Sequence, residues 1–206
     1  MSDVAEGGRR PGRPRSAVAD ASIVRATLEL LLEHGYRGLT MEQVRLRAGV
    51  GKATLYRRYG SKEEVVAEAI RHLNQPIEMA DTGAVREDIL GVARSVMAGA
   101  ERVRFASFVP RLLAEAAGDR EMHAIFYENL VAPRRGAMAT VLRRGVERGE
   151  LRADLDIELA IDIITGPWVY RLLISGGDAA VYRTDPAILL DLILGGLASD
   201  RPPGDS

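Results

Sequence analysis

Between Gly51 and Gly60 the chain carries Lys52, Ala53, Thr54, Leu55, Tyr56, Arg57, Arg58 and Tyr59. Wound as a helix, Leu55 and Tyr59 share a face and can pack inward with Val44, Ala48 and Val50. Ala53, Thr54, Tyr56 and Arg57 then project elsewhere, mostly outward. A small residue for close approach, two hydroxyls and a guanidinium suit phosphates and base edges rather than a core. The competing reading is an ordinary helical hairpin with a solvated basic face. Arg58, on the flank of the buried face, has the place of a surface arginine.

No comparable set supports catalysis. His34, His72 and His123 are dispersed, without metal-ligand spacing, a nucleophile motif or a glycine loop to cradle phosphate. Glu121 and His123 are two apart and do not share a helix face, which makes a poor acid-base pair. There is no cysteine, so thiol nucleophiles, disulfides and cysteine-based metal sites are excluded by residue type. The expectation is a protein that is not an enzyme and holds neither cofactor nor metal.

The elements that would position these residues are marked by their own punctuation. A first helix with Ile23, Ala26, Thr27, Leu30 and Leu31 at three- and four-residue steps closes at His34 and Gly35. Thr40-Met41-Glu42-Gln43 has the form of a capping box and opens a second helix, which Gly49 stops near Ala48. The third is Lys52 to Tyr59. Ser61-Lys62-Glu63-Glu64 is a second capping box, starting a fourth helix that lasts to about Asn74, before Pro76. Further helices are expected from Ala84 to about Ala100, Arg102 to Ala117 and Arg120 to Arg148, the last kinked or divided at Pro133. An eighth, capped by Asp156, is interrupted at Gly166-Pro167 and ends at Gly176-Gly177, and a ninth runs from Pro186 to about Ala198.

The pattern is therefore all-α: an N-terminal three-helix helix-turn-helix domain plus a larger C-terminal helical domain. Residues 1–15 read as a flexible basic arm, 16–60 as the helix-turn-helix domain, 61–75 as a connecting helix, 76–200 as the larger domain and 201–206 as a tail. Charge is divided in the same way. Residues 1–60 hold 11 Lys and Arg against 6 Asp and Glu, and the rest hold 17 against 23, so an anionic partner is expected for the first segment alone. No apolar leader follows the basic N-terminus, and the apolar run at 187–198 is too short to span a bilayer. A soluble, cytoplasmic protein without a membrane partner is expected.

Residues 35–44, Gly-Tyr-Arg-Gly-Leu-Thr-Met-Glu-Gln-Val, followed by Ala48-Gly49-Val50-Gly51-Lys52-Ala53-Thr54-Leu55-Tyr56-Arg57-Arg58-Tyr59-Gly60-Ser61-Lys62-Glu63, resemble the signature of the TetR family of bacterial transcriptional regulators. The resemblance implies that Thr40, Tyr56 and Lys62 meet phosphates. It implies that Lys52, Ala53, Thr54 and Arg57 approach bases or the groove edge of double-stranded operator DNA. Gly12-Arg13-Pro14-Arg15 resembles a minor-groove arm, with Arg13 and Arg15 entering the groove. A basic tail adding only nonspecific attraction fits that segment equally well.

Beyond the fourth helix, Gly149-Glu150-Leu151-Arg152, Asp154-Leu155-Asp156 and the run from Gly166 to Leu173 resemble the C-terminal domain of one TetR subset. That implies dimerisation and binding of a small-molecule effector. Met97, Phe105, Phe108, Met122, Phe126, Tyr127 and Trp168 are the candidate pocket residues, although such side chains at helical spacing more often form plain core. The eighth and ninth helices are expected to build the homodimer. The function these features point to is a DNA-binding regulator, in this family usually a repressor, released from a near-palindromic operator by its effector. A helical small-molecule carrier or protein-interaction module without DNA function is the alternative.

Overall fold

A computed structural model describes residues 15–74, 77, 79–102, 105–173 and 185–197. Among them every regular element is helical: α1 (Arg15–Gly38), α2 (Met41–Ala48), α3 (Lys52–Arg58), α4 (Lys62–Arg71), α5 (Val85–Arg102), α6 (Phe105–Gly118), α7 (Arg120–Phe126), a π-helical turn (Tyr127–Val131), α8 (Ala132–Glu147), α9 (Ile157–Leu173) and α10 (Pro186–Leu197). The chain divides into two units, Met1–Val66 and Ala67–Ser206, and the division falls inside α4. No helix among the described residues is long and apolar enough to cross a membrane.

In the smaller unit, α1 turns Ile23, Val24, Ala26, Thr27, Leu30 and Leu31 inward. The buried Thr27 hydroxyl has no solvent and donates instead to the Ile23 carbonyl at 2.8 Å. The helical path breaks at Gly35, whose φ of 71° and ψ of 177° exclude a side chain with Cβ. That break turns Tyr36 and Leu39 into the core. α2 begins on the expected capping box: the Gln43 amide donates to the Thr40 hydroxyl, and the Thr40 amide donates to the Gln43 side-chain oxygen at 2.8 Å. It ends at Gly49 in the left-handed region, φ 66°.

Around α4 two details depart from expectation. Ser61 Oγ accepts the Glu64 amide, but the Glu64 carboxylate reaches the amide of Gly60 rather than that of Ser61. The helix also ends at Arg71, because Leu73 and Asn74 donate three residues back, to Ile70 and Arg71, and tighten the last turn.

The larger unit has its core where α5, α8, α9 and α10 meet, with Ile89, Leu90, Val141, Leu142, Ile161 and Leu190 among its buried residues. α8 approaches α5 closely at Gly145, where a Cβ would lie 2.6 Å from Val85 Cγ2 and 3.1 Å from Val85 Cβ. Next to that contact Asp88 is buried beneath a cap of donors. It accepts from the Thr82 amide (2.8 Å), the Thr82 hydroxyl (2.7 Å) and Arg148 (3.3 Å). Burial alone would raise its pKa, yet these three donors hold it below the ordinary carboxylate value.

The expected helix from Arg120 to Arg148 is divided rather than kinked. Asp119 caps α7 by accepting the Glu121 and Met122 amides. The π-helical turn follows, with the Ala132 amide donating five residues back to Tyr127. The extra residue in this turn brings Pro133 into the first turn of α8, where a missing amide is tolerated. By contrast, α9 passes through Gly166-Pro167 without the expected interruption. Pro167 deprives one carbonyl of its amide, and burial of Ala160, Ile161 and Ile164 on the same helix outweighs that single loss. The expected end at Gly176-Gly177 lies outside the described residues.

Candidate nucleic-acid interface

The turn from α2 to α3 is held from both sides. The Val50 amide donates to the Arg45 carbonyl, and the Arg45 guanidinium returns to the Val50 carbonyl at 3.4 Å. Gly51 then N-caps α3, whose Thr54 and Leu55 amides donate to the Gly51 carbonyl. Leu55 and Val44 are fully buried, and Tyr59, Ala48 and Val50 are half-buried beside the turn in sequence. Lys52, Ala53, Tyr56 and Arg57 are exposed, as one side of α3 requires once Leu55 is inside. Thr54 is half-buried.

Electrostatics separates these residues from their neighbours. Arg45 is held by Glu42 at 2.8 and 2.5 Å, Arg47 by Glu33 at 2.7 and 2.8 Å, and Arg58 by Asp20 of α1. The hydrogen bonds from Arg45 and Arg47 keep the Glu42 and Glu33 carboxyls below their usual values. Among the described residues no carboxylate forms a close ion pair with Arg57, Lys52 or Lys62, although Lys52 and Lys62 lie near enough to Glu42 and Glu63 to help lower those carboxyls. The Lys52 ammonium stands over the Tyr56 ring at 5.9 Å. The Lys62 ammonium, in the first turn of α4, lies 4.0 Å from the centre of the Tyr36 ring and donates to the Tyr36 carbonyl at 3.3 Å. A cation resting on a carbonyl and a ring is more open to an added anion than one held in a close carboxylate ion pair.

Of the nine residues expected at DNA, Lys52, Ala53, Tyr56 and Arg57 thus share the open side of α3. Thr40 is exposed at the start of α2, its hydroxyl engaged in the capping box, and Lys62 is half-buried at the start of α4. Arg15 is the first residue of α1, its side chain not among those described, and Arg13 lies outside the described residues. Arg58, whose place in the sequence suits a surface arginine, is instead mostly covered and ties α3 to α1. The Glu42 and Arg45 pair, three apart on one helix, was there to be read. The link from Arg47 to Glu33 spans two helices and left no local sign.

In the larger unit Met122 and Phe126 are buried, Trp168 is half-buried, and Tyr127 is exposed and stacked on His123 with ring centres 6.2 Å apart. The side chains of Met97, Phe105 and Phe108 lie outside those described. A separate open groove of about 490 Å³ is lined by Asn74, Ile77, Met79, Pro133, Gly136, Ala137 and Thr140, none of them among the seven expected pocket residues.

Comparison with known proteins adds to this geometry. Residues 23–69 match the family described as bacterial regulatory proteins, tetR family, and residues 79–193 match the tetracyclin repressor-like C-terminal domain. The uncharacterized HTH-type transcriptional regulator YdeS of Bacillus subtilis is 33% identical over 81% of this chain and 84% of its own length. The DNA-binding transcriptional repressor TetR of Mycobacteroides abscessus is 27% identical over 87% of this chain and 96% of its own. The crystal structure of the TetR family transcription regulator SCO0332 superposes with a TM-score of 0.60 at 29% identity, covering 87% of this chain and 98% of that one.

Proposed function

Since the chain belongs to the TetR family of bacterial regulatory proteins, which are DNA-binding transcriptional regulators of the helix-turn-helix type, we propose that it is a dimeric repressor released from its operator by a small-molecule effector. The observation that carries the DNA reading is the selective pairing of charge. Arg45, Arg47 and Arg58 form close ion pairs with carboxylates, while Lys52, Arg57 and Lys62 form none, and Lys52 and Arg57 share the open side of α3 with the exposed Tyr56. In this reading Thr40, Tyr56 and Lys62 hold phosphates, and Lys52, Ala53, Thr54 and Arg57 approach base edges in the major groove. Arg13 and Arg15 reach the minor groove. Operator DNA places this work in the cytoplasm.

Dimerisation is supported by an uncovered apolar stripe. Leu159, Ile163, Gly166 and Tyr170 recur along the exposed side of α9, and Ile188, Leu192 and Gly195 along that of α10. Arg135 draws the neighbouring Glu158 and Asp162 carboxylates aside at 2.5 Å each. A second copy covering both helices would form a four-helix interface and set two recognition helices on half-sites about 34–36 Å apart or a multiple of it. The effector site is assigned to the larger unit, with Met97, Phe105, Phe108, Met122, Phe126, Tyr127 and Trp168 as candidate lining residues.

The deciding experiment is selection of duplexes from genomic fragments by the full chain, followed by titration at several salt concentrations. Binding should favour a near-palindrome and weaken steeply with salt. A carrier or protein-interaction module would show no sequence preference, and that result would sink the regulatory reading.

A further inference from the structure

Pro133 has no N–H, so the carbonyl of Asn129, four residues before it, receives no helical bond from that position. A side chain from just beyond α4 takes its place: Asn74 Nδ2 donates to the Asn129 carbonyl at 2.6 Å and lies 3.3 Å from that of Leu130. On the other side of the same amide, Oδ1 accepts from Arg134 Nε at 2.8 Å. The amide has one satisfactory orientation, because a flip would set donor against donor at Arg134 and acceptor against acceptor at Asn129. Asn129 adds a further bond, its Oδ1 accepting from Arg71 Nη1 at 2.9 Å while its Nδ2 donates to the Ile125 carbonyl. Leu73 and Leu130 are both 1% exposed at this joint. Burial pushes the Arg134 guanidinium down to about 10, which leaves it charged at neutral pH.

We propose that Asn74 is a positioning residue for operator binding, fixing the C-terminal end of α4 on the π-helical turn between α7 and α8. The inference rests on the regulatory reading above. The beginning of α4 belongs to the unit that carries α3, and its end to the unit that carries the apolar stripe. A dimer that reads two half-sites at fixed spacing gains from having that helix end held before it meets DNA. With Asn74 removed, α4 samples more directions. Each reader still recognises its half-site, but the two match the palindrome less often. Asn74 would therefore set the advantage of palindrome over half-site without touching DNA itself.

The test uses the full chain, a palindromic duplex selected by the wild type and a duplex keeping one half-site. Asn74→Ala should weaken palindrome binding by roughly 5- to 150-fold, the range of an ordinary coupling between sites, and leave half-site binding unchanged. Adding Pro133→Ala restores an amide for the Asn129 carbonyl, so thermal stability should recover in the double variant while palindrome binding stays weak. Asn74→Asp, which keeps an acceptor for Arg134 and loses the donor, should repeat the defect and serves if Asn74→Ala does not fold. An unchanged ratio of palindrome to half-site affinity in a folded variant overturns the proposal, as does recovery of that ratio with Pro133→Ala. If the wild type selects no duplex, the regulatory reading itself fails and takes this one with it.

Discussion

At the scale of the residue, α3 sets the side chains proposed to meet DNA on its exposed face and those that hold the smaller unit together on its covered side. Arg57 is exposed and has no carboxylate partner among the described residues. Arg57→Ala should therefore leave the melting temperature unchanged and, where the side chain reads a guanine, cost roughly 1–3 kcal/mol of operator affinity at one position. Competition with duplexes changed one base pair at a time checks this, and equal loss against every duplex would make Arg57 a phosphate contact. Arg58, the next residue, should behave in the opposite way, since its loss leaves Asp20 without the partner that ties α1 to α3. The outward set was legible because a buried Leu55 fixes the phase of a seven-residue helix. The pairing of Arg47 and Arg58 was not, because charge partners on different helices obey no spacing rule.

At the scale of the element, helix ends were easier to read than helix interiors. Thr40, Gly49, Asp119 and Asp156 act through their own backbone surroundings, and each stands at the start or stop the sequence indicates. The π-helical turn has no cap of its own, its Asn129 carbonyl being met by a side chain from distant Asn74, and α9 runs through Pro167 with its burial supplied elsewhere along the helix. Gly145 shows the same dependence on distant partners. Gly145→Ala would press a methyl group onto Val85 Cβ and Cγ2, which cannot rotate away together, so a loss of about 1–3 kcal/mol is expected by chemical denaturation. Asp88 makes the junction of α5 with Arg148 sensitive to acid. Its folded pKa lies below its unfolded value, so its contribution is complete above the ordinary carboxylate range and is lost as pH falls through the folded value. Asp88→Asn should flatten the acid limb of a stability curve and lower stability near neutrality by roughly 1.5–3 kcal/mol. A mutant whose acid limb matches the wild type would assign that limb to other carboxylates, Glu63 among them, whose pKa is also lowered, first by its hydrogen bond with Ser61.

At the scale of the whole molecule, the division between a cationic reader and an acidic remainder was visible in composition, and the two matched family regions follow it. The proposed dimer surface was only half visible. An apolar α10 announces that something must cover it, but which residues stay open depends on how α5, α8 and α9 cover the rest. Leu192 is 76% exposed in the single chain. Leu192→Glu should thus preserve folding while shifting sedimentation at micromolar concentration toward the monomer, and an unaltered dimer would place the interface elsewhere. The boundary between the units inside α4, at Val66 and Ala67, bears on recombination between relatives. A chimera joined there is joined in mid-helix, so it must conserve rotational phase as well as sequence. One inserted residue turns everything beyond it by about 100° and advances it about 1.5 Å, whereas an added seven nearly restores the angle. Exchange of readers within the family is therefore expected to tolerate substitutions in α4 far better than single-residue insertions or deletions.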